Sequence, residues 1–196
     1  MKSYSAFFVR GDDIAGARQV FGRAEPIAGT PWLLCAYQRD DGPPDDDVLL
    51  GQASLTQEKS QQLGEVFFVF GDTSINGFAY EHARDGLLLR KLVWFPLLDD
   101  DWAEGWLCAE GEPEAWEQRL FNADALARLL EGERQRYEDH GKADQIATRV
   151  AEIQEVWEAG RIVAGHTFPE CDGTAALLVE HSHGISRPEL TGGHAV

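Results

Sequence analysis

The chain has 196 residues, 43% hydrophobic and 26% charged, with 34 Asp and Glu against 17 Lys and Arg and a formal net charge of −17. A chain of this length can bury a core without disulfides or a structural metal. Its charge argues against nucleic acid and anionic membrane surfaces as partners, since Lys and Arg dominate attraction to both, whereas a basic protein or a cation remains compatible.

Residues 4–10, YSAFFVR, read as a first strand, and the GDD that follows can cap a helix, IAGARQVFG, through Asp12 or Asp13. PWLLCAYQ (31–38) is a second strand, its apolar run too short for a buried helix. DDGPPDDD (40–47) is a loop of prolines and carboxylates. SLTQEKSQQLG (54–64) is a helix with Ser54 three residues before Gln57 and a stop at Gly64. EVFFVFGD (65–72) is a β-prone run with the look of a strand buried on both faces.

FAYEHARDGLLLRKLVW (78–94) is the densest polar stretch among apolar residues. Asp85-Gly86 is a two-residue turn signal, because both central positions of such a turn need positive φ. Counting outward from it without interruption pairs Glu81 with Arg90 and puts His82 on the opposite face. Adjacent Glu81 and His82 are then not an acid–base dyad, which needs groups within hydrogen-bond reach. WLCA (106–109) is one more short strand. From GEPEAWEQRLF onward the pattern is helical, with Pro113 in a first turn and Asn122 as a further cap. Ile146, Val150, Ile153 and Trp157 form a stripe ending at Gly160.

The segment FAYEH-x2-DG-x3-R-x-LVW (78–94), followed by a Trp-containing loop and GEPEAWE (111–117), resembles a group of uncharacterised bacterial proteins that share such a hairpin and a GEPE-x-WE element. The resemblance covers about residues 64–121 and implies no activity, so no functional residue follows from it. On physical grounds Trp116 is an anchor packing on the sheet, and Pro113 fixes where its helix begins.

These readings predict one α+β domain over residues 1–196. Its sheet, antiparallel or mixed, has about five strands with helices packed on it. Residues 1–110 are strand-rich, 111–160 helical, and 161–196 an irregular tail.

Cys35, Cys108 and Cys171 are odd in number and far apart, which fits reduced thiols in a cytoplasm better than a disulfide framework. The N-terminal apolar run, Ala6 to Val9, is too short for a signal peptide, and cytoplasmic placement is expected. There is no G-x-S-x-G, P-loop, G-x-G-x-x-G or H-E-x-x-H, so no cofactor and no catalytic residue is indicated; a non-enzyme is the leading expectation, although missing motifs do not exclude an enzyme, whose catalytic groups are defined in space.

The expected function is therefore an acidic, immunity-like interaction module that binds a basic protein. Its contact surface would be FPLLDDDWAEGW: Asp99, Asp100, Asp101, Trp102 and Trp106, aromatics beside acids. The competing reading puts those tryptophans in the core. The alternative function is a metal-binding protein or metal-dependent hydrolase using His166, Cys171, His181 and His183, although HTFPEC and HSH have no familiar zinc spacing.

Overall fold

The computed structural model describes residues 2–96 and 104–186. Its centre is one antiparallel sheet of seven strands: β1 (Ser3–Arg10), β2 (Ala24–Pro26), β3 (Trp32–Arg39), β4 (Glu65–Asp72), β5 (Gly77–Arg84), β6 (Leu87–Pro96) and β7 (Glu104–Gly111). They lie in the order β2-β3-β1-β4-β5-β6-β7, so the first strand sits inside the sheet with β3 and β4 on its flanks. The sheet exceeds the five strands expected. β2 has only three residues, too few for an alternation to show, and β7 extends beyond WLCA at both ends.

Both faces of the sheet are covered. On one face α1 (Ile14–Phe21), α2 (Asp46–Leu49) and α3 (Gln57–Leu63) cover Phe7, Val9, Leu33, Cys35, Val66, Phe68, Phe70 and Val93. The other face carries the aromatic core of Phe8, Trp32, Phe67, Phe78, Tyr80, Trp94, Trp106 and Trp116, capped by α6 (Ala175–Ser182). The helical hairpin of α4 (Ala123–Asp139) and α5 (Ile146–Ala159) packs around a satellite cluster of Ile153, Val156 and Phe168.

Local chemistry sets the ends of these elements. Asp13 caps α1 by accepting from the Gly16 N–H, and Asn122 caps α4 by accepting from the Ala125 N–H at 2.8 Å. Gly160 ends α5 in the left-handed conformation. GEPEAWE does not continue into one long helix. It forms a 3-10 turn over 115–119, and Asn122 starts α4 afresh. Trp116 anchors that turn edge-on against Phe78 and Tyr80, at 6.0 and 5.5 Å between ring centres. The tail expected over 161–196 is instead ordered in its described part, because Ala175, Ala176 and Val179 give α6 an apolar stripe that seats on the sheet.

The hairpin turn falls at Asp85-Gly86, both with positive φ. The register beyond it differs from the uninterrupted count. A β-bulge at Leu89 shifts the pairing, so His82 opposes Arg90 and Glu81 opposes Lys91. The expected Glu81–Arg90 pair therefore does not form. Gly111 admits the bulge: it has positive φ, and a Cβ there would stand 2.0 Å from the Leu89 carbonyl oxygen.

The bulge sorts the two buried cations onto opposite faces. Arg90 turns to the aromatic face and meets Glu117 in a bidentate pair of 2.6 and 2.8 Å. Lys91 turns to the helical face, where its Nζ donates to the Ala53 carbonyl and lies 3.6 Å from Glu81. Glu81 Oε1 accepts from the Thr56 N–H at 2.8 Å, the Thr56 hydroxyl at 2.6 Å and the Ser54 hydroxyl, tying down the start of α3.

Candidate functional site

Alternation along β5 puts Phe78, Tyr80 and His82 together on the aromatic face. His82 is buried there and makes two polar contacts through its ring. Its Nδ1 lies 2.6 Å from Glu114 Oε1, and its Nε2 lies 3.2 Å from Glu65 Oε1. Glu114 comes from the segment just before the 3-10 turn, and Glu65 begins β4.

Each of these groups is held in turn. Glu114 Oε2 accepts from the Tyr80 hydroxyl at 2.7 Å and from the Trp116 indole N–H at 3.1 Å, which leaves Oε1 directed at His82. Glu65 Oε2 takes Arg84 at 3.0 Å and Arg10 at 3.1 Å, its cross-strand neighbours on β5 and β1.

His183 arrives from the end of α6. Its ring stacks on Phe67 at 4.4 Å and stands edge-on to Trp32 at 5.1 Å, while its carbonyl accepts from the Trp32 indole N–H. Its Nε2 lies 3.5 Å from the Tyr80 hydroxyl. Donor atoms of His82, Glu114 and His183 all lie within 4.8 Å of one another.

The protonation states follow from this packing. Burial pushes the His183 imidazole down to about 4, partly opposed by the nearby Glu114 charge, so at neutral pH the ring is uncharged and offers a lone pair. Burial raises Glu114, but the hydrogen bond and charge of His82 and the Tyr80 hydroxyl outweigh it and hold the carboxyl below its ordinary range. Glu65 is likewise lifted by burial and brought down further by Arg84 and Arg10. Burial and then Glu114 push the Tyr80 phenol well up, keeping it a hydroxyl donor.

The residues singled out from sequence fall elsewhere. Trp106 is wholly buried in the core, its indole N–H bonded to the Pro169 carbonyl, and so is not part of a contact surface. Its N–H and C=O both pair within the loop at Gly165 and His166, which fixes it on β7. Asp99, Asp100, Asp101 and Trp102 lie outside the described residues.

The expected metal set is not assembled among the described residues. His166 stands on Phe168 near Glu152, Cys171 is buried beside Asp172, and His181 is exposed; only His183 joins the donor cluster. All three thiols are buried, and burial raises each of them, so none is a ready nucleophile.

Comparison with known proteins gives no relative: no family model matches the chain, no curated protein matches it, and no solved structure matches it.

Proposed function

We propose that this chain is a metal-binding protein that holds one divalent ion of zinc type at His82, Glu114 and His183. The observation that carries this reading is the convergence of two imidazoles and a carboxylate from three separate segments on one partly buried spot. Two nitrogens and a carboxylate oxygen suit zinc, and three protein ligands leave a fourth position for water, as in catalytic rather than structural zinc sites. Tetrahedral bonds of about 2.0–2.1 Å place ligands roughly 3.4 Å apart. The donors, within 4.8 Å, close on an ion by small side-chain rotations.

The test is elemental analysis of protein purified without a histidine tag, followed by zinc titration. One equivalent of zinc is expected, lost in His82→Ala and in His183→Ala and retained in His181→Ala and Cys171→Ser. Folded wild-type protein that takes up no zinc would overturn the reading.

A second reading rests on the net charge of −17 and on the exposed acids Asp45, Asp46 and Asp47: a cytoplasmic, immunity-like module that docks a basic protein through Asp99, Asp100, Asp101 and Trp102. Its binding should weaken steeply with ionic strength and on changing the three aspartates to Asn. A specific partner indifferent to both would refute it. Among the described residues no helix is long and apolar enough to cross a membrane.

A further inference from the structure

A metal at this spot must choose one nitrogen of His82, and the ring has a carboxylate at each side. The two carboxylates are not equivalent. Glu114 Oε1 is 2.6 Å from Nδ1, and its other oxygen is bound by the Tyr80 hydroxyl, which in turn reaches His183 Nε2 at 3.5 Å. Nδ1 is therefore the nitrogen on the Glu114 side of the ring, the side linked to His183 through the Tyr80 hydroxyl. Glu65 stands behind the ring, 3.2 Å from Nε2, and its second oxygen is engaged by Arg10 and Arg84.

We infer that Glu65 is a positioning residue for the metal centre: when an ion displaces the proton that Nδ1 shares with Glu114, Glu65 holds the remaining His82 proton on Nε2, so that Nδ1 is the ligand. The inference rests on the metal-binding reading above. A neutral imidazole carries one N–H, and the hydrogen bond at one nitrogen decides which nitrogen is free to ligate. Carboxylates in this outer position fix the tautomer and ring orientation and raise the basicity of the ligating nitrogen.

The sheet itself locates Glu65. It is the cross-strand partner of Arg10 on β1 and of Arg84 on β5, while His82, two residues before Arg84, opposes Phe67. Two guanidinium groups from the strands on either side of β4 thus orient the carboxylate that orients the imidazole. Neither arginine reaches the proposed ligand atoms, so the arrangement is a relay from the surface of the sheet to the buried ring.

The experiment compares zinc affinity of the full chain by competition with a chromophoric chelator, and reads the His82 ring by 15N NMR of the zinc-loaded protein. Glu65→Ala should weaken zinc binding by about 10- to 100-fold. Glu65→Gln should restore part of the loss, since its amide oxygen still accepts from Nε2–H. In wild-type protein the proton should sit on Nε2 with zinc on Nδ1. Wild-type affinity in Glu65→Ala, or zinc bound through Nε2, would overturn the inference while leaving a metal site in place. Absence of zinc from the wild type would instead overturn the metal reading, and is seen before any variant is compared. Should Glu65→Ala fail to fold, Glu65→Gln and the wild-type ring assignment still decide the matter.

Discussion

Replacing Glu117 with Gln should be among the most damaging single-atom exchanges available in this protein. Arg90 is 1% exposed and Glu117 is fully buried. The guanidinium donates Nε to Oε1 at 2.8 Å and a terminal nitrogen to Oε2 at 2.6 Å, and its other terminal nitrogen donates to the carbonyls of Glu110 and Gly111. Oε1 also accepts from the Glu114 N–H at 2.7 Å. An amide at 117 turns one acceptor into a donor facing a donor and removes the full negative charge paired with Arg90.

Breaking a buried pair from one side costs about 3–5 kcal/mol, a large part of the roughly 5–15 kcal/mol that holds a domain folded. Replacing both partners with apolar residues, Arg90→Met with Glu117→Leu, should recover most of that loss, because no charge is then left buried alone. Urea melts of the four proteins in the cycle measure the coupling. Glu112→Gln is the control: its side chain is 88% exposed and 3.8 Å from Arg161, so a change within about 0.5 kcal/mol is expected. A Glu117→Gln protein as stable as the control would refute the reasoning. So would strong coupling of Arg90 to Glu81, which the uninterrupted hairpin register requires and the bulged one forbids.

Three further outcomes are expected. Thr56→Val removes a buried hydroxyl donor to Glu81 at 2.6 Å, and denaturant melts should show a loss of about 1–3 kcal/mol. Gly111→Ala would set a Cβ against the Leu89 carbonyl at a positive φ, so it should lower stability by about 2 kcal/mol or more and disturb the amide resonances of Leu89 and Arg90; a neutral effect would mean the bulge is absent. For acid sensitivity, His183 sits near 4 when folded against 6.5 as its ordinary value, so the folded state binds fewer protons between those limits. Its contribution is present above pH 6.5 and is lost as pH falls towards 4, by at most about 3 kcal/mol. Melting temperature against pH, compared with His183→Phe, isolates that contribution.

The parts of the fold that sequence made legible are those specified by neighbours along the chain. Asp85-Gly86 marks its own turn through backbone sterics, and the apolar runs of β1, β3 and β4 mark a buried sheet. The bulge at Leu89 was not legible, since it is fixed by Arg90 meeting Glu117 and by the room above Gly111, both distant in sequence. The candidate site was hidden for the same reason. His82, Glu114 and His183 share no short spacing, and only the fold brings them together. One available signal was parity: His82 shares a strand face with Phe78 and Tyr80, which places a polar ring on an otherwise aromatic surface. The histidine-rich C-terminal segment offered a more obvious cluster by proximity along the chain, yet His181 and His183 point to different surroundings once α6 forms.

The position of β1 governs how this protein can assemble as it leaves the ribosome. Among the described strands the earliest in the chain is an interior one, and Ala6 meets Val69 only after β4 has emerged. Until then β1 carries an open backbone edge on the side away from β3, the kind of surface that pairs with other chains. α6 arrives later still, after all the described strands. A nascent chain stopped before residue 175 would own a complete sheet whose ring-lined side, including Trp32 and Phe67, lacks its cover. Protection of β1 amides should therefore appear in chains arrested once β4 has emerged, whereas binding of a hydrophobic dye should be lost only in longer chains that include α6.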